Sequence, residues 1–145
     1  MFSFPEDYEQ GWTLGDEITK DGIGLHTGGK SKVLIKPTEL PGFHFSFSEE
    51  SNKVFSIDIS QVKHTPLCTT LDINGKKIST VEHLFASLIG VGMTHVHIEI
   101  TGNEIPLLDG SAIGWVKEIE KVGMVDSTTS PKPRPKLKAP MFVEK

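Results

Sequence analysis

A carboxylate stands next to an imidazole in the run Thr80, Val81, Glu82, His83, Leu84, at the head of an amphipathic pattern. Such a pair can be a general base beside a metal ligand. In that chemistry His83 gives one ring nitrogen to a metal ion. Glu82 takes the proton from a water whose pKa the metal has lowered to about 7. Adjacent residues of a helix point ~100° apart, so the base reaches the water without binding the metal itself. The same residues have a plainer reading. Ser79 and Glu82 stand three apart at a helix start, the spacing of a capping box in which Glu82 bonds back to the Ser79 backbone. Spacing alone leaves both readings open.

A catalytic zinc site needs three protein ligands and an open position for water. Neither His44, with Ser48 four residues on, nor His64, with Cys68 four residues on, supplies a helical ligand pair. His95, His97 and Glu99 alternate along one strand and share a face, with successive side chains ~7 Å apart. A metal there would need a third element, and a solvated strand face is the plainer reading. His26 lies in a turn with Gly22, Gly24, Gly28 and Gly29, either a loop between strands or a place of close backbone approach. Cys68 reads as a small buried hydrophobe. A nucleophilic role would need a base that the sequence does not place.

The elements that must hold these groups follow from periodicity. Val33 and Ile35, then Phe43, Phe45 and Phe47, then Phe55, Ile57 and Ile59 alternate as strands with one buried face do. Asn74 with Gly75 signals a hairpin between Thr69–Ile73 and Lys77–Ser79. A further strand covers His95 to Ile100, with Val96, Ile98 and Ile100 on one side. Val81, Leu84, Phe85 and Leu88 fit a helix that stops at Gly90 or Gly92. Ala112, Trp115, Val116 and Ile119 fit a second, capped by Asp109 or Ser111 and ended by Gly123. The run Glu104 to Ala112 reads as structural, with Gly110 allowing the strand-to-helix turn. The expected fold is α+β, one domain in which a mixed β-sheet carries two helices on one face.

At 145 residues folding buries roughly 68 to 70% of the unfolded chain's surface, enough for a core without staples. Hydrophobic residues at 37% and charged residues at 23% suit a soluble globular protein. No apolar run approaches the ~18 to 20 residues of a membrane span. A single cysteine excludes an internal disulfide, and the N-terminus has no targeting pattern, so a reducing, cytoplasmic setting is expected. A net charge of −4 argues against nucleic-acid binding, which needs a basic face. From Ser127 onward prolines alternate with lysine and arginine, which favours a stiff, extended segment.

Four stretches run in one order: Gly22 to Gly28, Leu67 to Leu71, Thr80 to Leu84 and Glu104 to Ala112. In that order they resemble the N-terminal half of UDP-3-O-acyl-N-acetylglucosamine deacetylase, the zinc amidase of lipid A synthesis. The resemblance covers roughly Trp12 to Gly123. It implies Glu82 as catalytic base and His83 as zinc ligand. It also implies Leu25, His26, Thr27, Cys68 and Thr69 as residues lining the site, with His26 at its mouth. The family draws its other two ligands, a His and an Asp on one helix, from a second half, where most of its lipid-binding passage also lies. Residues 1–126 are then a deacetylase-like N-terminal domain. Residues 127–145 are a linker, with Met141 to Glu144 as the first strand of a missing second domain. The implied partners are that C-terminal domain, in cis or in trans, and a UDP-sugar lipid substrate. Zn2+ is expected only if the second domain supplies the remaining ligands, and the isolated chain is expected to be inactive. The alternative is a truncated, non-catalytic homologue kept as a binding or structural subunit of a larger assembly.

Overall fold

Alternating apolar residues decide which face of each strand is buried, and the registers between strands line those residues up. The computed structural model describes residues 5, 9–63, 65–133 and 138–139. Its elements run β1 (Trp12–Leu14), β2 (Ile18–Ile23), β3 (Lys30–Lys36), β4 (Gly42–Phe47), β5 (Phe55–Ser56), β6 (Val62–Lys63), β7 (Thr70–Ile73) and β8 (Lys76–Ser79). Then come α1 (Glu82–Gly90), β9 (His95–Thr101), α2 (Ile113–Val122) and β10 (Met124–Asp126). The main sheet has the order β2-β3-β9-β4-β5. It is mixed, because β4 and β9 are parallel while the other pairs are antiparallel. Two smaller sheets, β6-β7-β8 and β1-β10, accompany it.

Across the main sheet Ile35 faces Ile98 and Ile98 faces Phe45, while Val33 faces Ile100 and Ile100 faces Phe47. These rows form one inner face, fully shielded from water. Leu84 and Leu88 of α1 and Trp115 and Ile119 of α2 join the same core. The Phe85 ring sits 5.9 Å from that of Phe43 and 6.1 Å from that of Phe45. Both helices therefore cover one face of a mixed sheet, the α+β arrangement expected. No helix among the described residues is long and apolar enough to cross a membrane.

The β7–β8 hairpin turns at Asn74 and Gly75, both at positive φ (52° and 84°), the geometry of a type I′ turn. The Gly75 amide donates to the Asp72 carboxylate at 2.8 Å. One strand is shorter than its alternation suggests. β5 ends at Ser56, and Ile59 opens a 3-10 turn in which it is 86% exposed. Asp58 explains the break: its carboxylate accepts from the Ser60 amide while the Gln61 side chain accepts from the Asp58 amide. A reciprocal cap of this kind offers the backbone an alternative to the ladder.

The outer face of β9 departs from a solvated strand. His95 is fully buried; its Nδ1 pairs with Thr94 Oγ1 at 2.7 Å and its Nε2 with Thr129 Oγ1 at 2.9 Å. His97 Nε2 pairs with Ser46 Oγ at 2.8 Å, and Glu99 accepts from Lys36 Nζ at 2.8 Å. Burial pushes the pKa of both histidines down. Each polar head on this face thus has its own partner, which removes His95, His97 and Glu99 as a ligand trio. Thr129 belongs to a segment tied to the main sheet. Ser127 Oγ and the Thr128 amide both donate to Glu39, each at 2.8 Å, and Lys132 Nζ reaches Ser56 Oγ at 2.9 Å. The expected strand Met141 to Glu144 lies outside the described residues, as does His64.

Candidate active site

Helix α1 begins at Glu82 and has no side-chain cap; the residue before it, Val81, is already helical in conformation. Glu82 does not bond back to Ser79. Its Oε1 accepts from the backbone amide of Thr69, and Ser79 Oγ pairs instead with Thr70 Oγ1 at 2.9 Å. The capping-box reading fails for a topological reason. Ser79 is still in β8, paired with Thr70, and Thr80 takes up a left-handed φ of 60° before the helix starts. The carboxylate is left pointing at the strand opposite.

His83, also half-buried, has an Nδ1 that is shielded from solvent and lacks a hydrogen-bond partner. Leaving a buried polar atom unpaired costs about 1–3 kcal/mol, and among the described residues the indole nitrogen of Trp115 is in the same position. One imidazole does not make a zinc centre. Among the described residues no cluster of three or more His, Cys, Asp or Glu side chains could hold a metal ion. The α1 backbone at His83 is itself anchored, since Ser87 Oγ donates to the His83 carbonyl at 2.5 Å and lies 3.2 Å from the Ala112 carbonyl at the head of α2.

Thr69 meets Glu82 directly. Its amide goes to Glu82, and its carbonyl accepts from the Thr80 amide at 3.0 Å. Cys68 is half-buried with a free thiol 3.9 Å from Thr70 Oγ1, and its carbonyl accepts from Thr65 Oγ1. His26 and Thr27 come to the same region by a residue that spacing did not single out. Glu104 is 1% exposed and accepts from the His26 amide at 3.0 Å, the Thr27 amide at 2.8 Å, Thr27 Oγ1 at 2.7 Å and Thr80 Oγ1 at 2.7 Å. Burial pushes this carboxyl up, but the donors from His26, Thr80 and Thr27 outweigh it and hold its pKa down at about 2. A Cβ on Gly24 would run into that carboxylate, which is why glycine stands there. Leu25, at the tip of the loop, is 56% exposed and Leu67 is 80% exposed; neither enters this network.

The carboxylate in Glu104 had no local sign. Its donors stand 24, 77 and 78 residues away along the chain. The available cue was its place at the head of the stretch Glu104 to Ala112 that carries the resemblance.

The pair, the Thr69 amide and the loop bearing His26 lie in stretches shared with known enzymes. A family model described as "LpxC: UDP-3-O-acyl N-acetylglycosamine deacetylase" matches residues 12–145. A UDP-3-O-acyl-N-acetylglucosamine deacetylase of Thermosynechococcus vestitus is 38% identical over 133 residues, 90% of this chain and 46% of the relative. That of Trichormus variabilis is 38% identical over 115 residues, 78% of this chain and 41% of the relative. That of Thermodesulfovibrio yellowstonii is 40% identical over 112 residues, 77% of this chain and 38% of the relative. The chain spans less than half the length of these curated relatives. A match that runs through β1, both helices and every residue of the Glu82–Glu104 network places this chain in the UDP-3-O-acyl-N-acetylglucosamine deacetylase family.

Proposed function

We propose that this chain is the N-terminal half of a zinc-dependent amidase that deacetylates UDP-3-O-acyl-N-acetylglucosamine in lipid A biosynthesis, completed by a C-terminal domain in cis or in trans. The observation that carries the reading is the Glu82 carboxylate, free of any helix cap and held by the Thr69 amide, beside a His83 ring whose buried Nδ1 has no partner. In this role His83 holds zinc together with ligands from the second domain. Zinc, when bound, lowers the pKa of water to about 7 and polarises a carbonyl.

Glu82 is the general base. It takes a proton from the attacking water as the water oxygen bonds to the amide carbon. When the carbon–nitrogen bond breaks, the same carboxyl returns that proton to the departing glucosamine nitrogen, and acetate leaves. The Thr69 amide keeps the carboxylate aimed while it is charged. His26, Leu25, Thr27, Cys68 and Thr69 line the approach. Domain boundaries at 1–126 and 127–145 belong to the same proposal.

Mixing the chain with an equimolar C-terminal domain of a relative, then measuring acetate release from UDP-3-O-acyl-N-acetylglucosamine, tests it. Release by the pair and none by either part alone is expected. A folded, stoichiometric pair that holds zinc and releases no acetate contradicts the reading.

A further inference from the structure

We propose that Glu104 is a positioning residue for Glu82 and His83, acting through Thr80. The proposal rests on the reading of Glu82 and His83 as the working pair, and it names what fixes their orientation. A buried carboxylate is costly unless its oxygens are hydrogen-bonded. Glu104 is satisfied entirely by neutral donors, with no cation bonded to it among the described residues. Neutral donors give less attraction than an ion pair but fix direction, and these come from two separate segments.

One segment is the glycine loop, held by the His26 and Thr27 amides. The other is Thr80. A β-branched residue at positive φ is a true outlier, and it persists only where its surroundings over-determine it. Thr80 has a φ of 60° and two anchors: its amide donates to the Thr69 carbonyl at 3.0 Å and its hydroxyl to Glu104 Oε1 at 2.7 Å. Glu82 starts α1 two residues later, so the Thr80 dihedral sets where the helix begins and where Glu82 and His83 point. Glu104 is itself immobilised. The Ile105 amide donates to the Ser79 carbonyl and the Ser79 amide to the Asn103 carbonyl, both at 3.0 Å, and Ser31 Oγ donates to the Glu104 carbonyl at 2.5 Å. A continuous line of hydrogen bonds thus runs from the His26 loop through Glu104, Thr80 and Thr69 to Glu82. The alternative is a purely structural hub that holds the loop and leaves the pair alone.

Amide hydrogen exchange, measured by NMR on the chain itself, separates the two. The Thr69 amide reports the pair because it bonds to Glu82, and the His26 and Thr27 amides report the loop. Thr80→Val removes only the hydroxyl donor. It should speed Thr69 exchange at least tenfold, with His26, Thr27 and the core amides of Ile98 and Ile100 within about twofold of wild type. Thr80→Ser, which keeps the hydroxyl, should restore the wild-type Thr69 rate. Glu104→Gln should speed exchange at both places; if that variant does not fold, the two Thr80 variants still decide. In the assembled two-domain enzyme Thr80→Val should lower kcat at least tenfold with KM within about twofold, and Thr80→Ser should recover it. Wild-type exchange at Thr69 in Thr80→Val, or equal rates in Thr80→Val and Thr80→Ser, overturns the proposal. An inactive wild-type pair would count against the functional reading alone, because the exchange comparison involves neither metal nor substrate.

Discussion

Two carboxylates near the head of α1 are held in different ways. Glu82 is half-buried and held by one amide; Glu104 is buried and held by amides and hydroxyls from two segments. Glu82→Gln keeps the size of the side chain and removes the carboxylate proposed as the base. It should lower kcat of the assembled enzyme about 10²- to 10⁴-fold, the usual range for a lost general base, with the unfolding midpoint of the chain unchanged. For Glu104 the folded pKa of about 2 lies below the ordinary 4.5. The unfolded chain therefore binds this proton first. The contribution, about 3 kcal/mol, is fully present above pH 4.5 and is lost as pH falls from 4.5 towards 2. Urea unfolding across that window should show wild type losing stability that Glu104→Gln never had; parallel curves would contradict the assignment. The adjacency of Glu82 and His83 is written in the chain. What makes Glu104 unusual is not, because it is tertiary: donors brought from remote segments to a buried spot.

At the scale of elements, local rules worked where one chemical choice dominated. Asn74 and Gly75 marked the hairpin, and the turn adopts the two positive φ angles those residues tolerate. Gly75→Ala should then cost about 1–2 kcal/mol, read as a lower thermal midpoint with the Glu82–Glu104 hydrogen bonds untouched. The periodicity of Leu84 and Leu88 marked the buried side of α1, and both are fully shielded. Leu88→Ala should cost about 2–5 kcal/mol in a urea titration, since the core rows of β4 and β9 cannot close around the space. Other local patterns gave way: the second helix starts after Ala112 with no side-chain cap, where Asp109 or Ser111 was expected, and elsewhere a side chain or a strand pairing competed for the local rule. Alternation of Phe55, Ile57 and Ile59 suggested a strand, but Asp58 and Gln61 cap each other and turn the chain. The spacing of Ser79 and Glu82 suggested a capping box, but strand pairing holds Ser79 in β8 and leaves Glu82 to Thr69.

For the whole molecule, the mixed sheet with two helices on one face was readable from the alternation of strands and the two amphipathic runs. The two accessory sheets, and the burial of His95 beneath Thr129, depended on long-range packing that no short window contains. The molecule places a carboxylate and one imidazole at a helix start, and its described residues hold no cluster of three or more metal-ligating side chains. On the proposed reading the function belongs to an assembly, and zinc stoichiometry tests that reading most directly. Metal analysis after dialysis of the equimolar pair with a relative's C-terminal domain should find about one zinc per pair for wild type and for Glu82→Gln. It should find almost none for His83→Ala, which on the proposed reading removes one of the three protein ligands a catalytic zinc requires. A His83→Ala pair that is folded, associated and still carries a full equivalent of zinc would contradict the account.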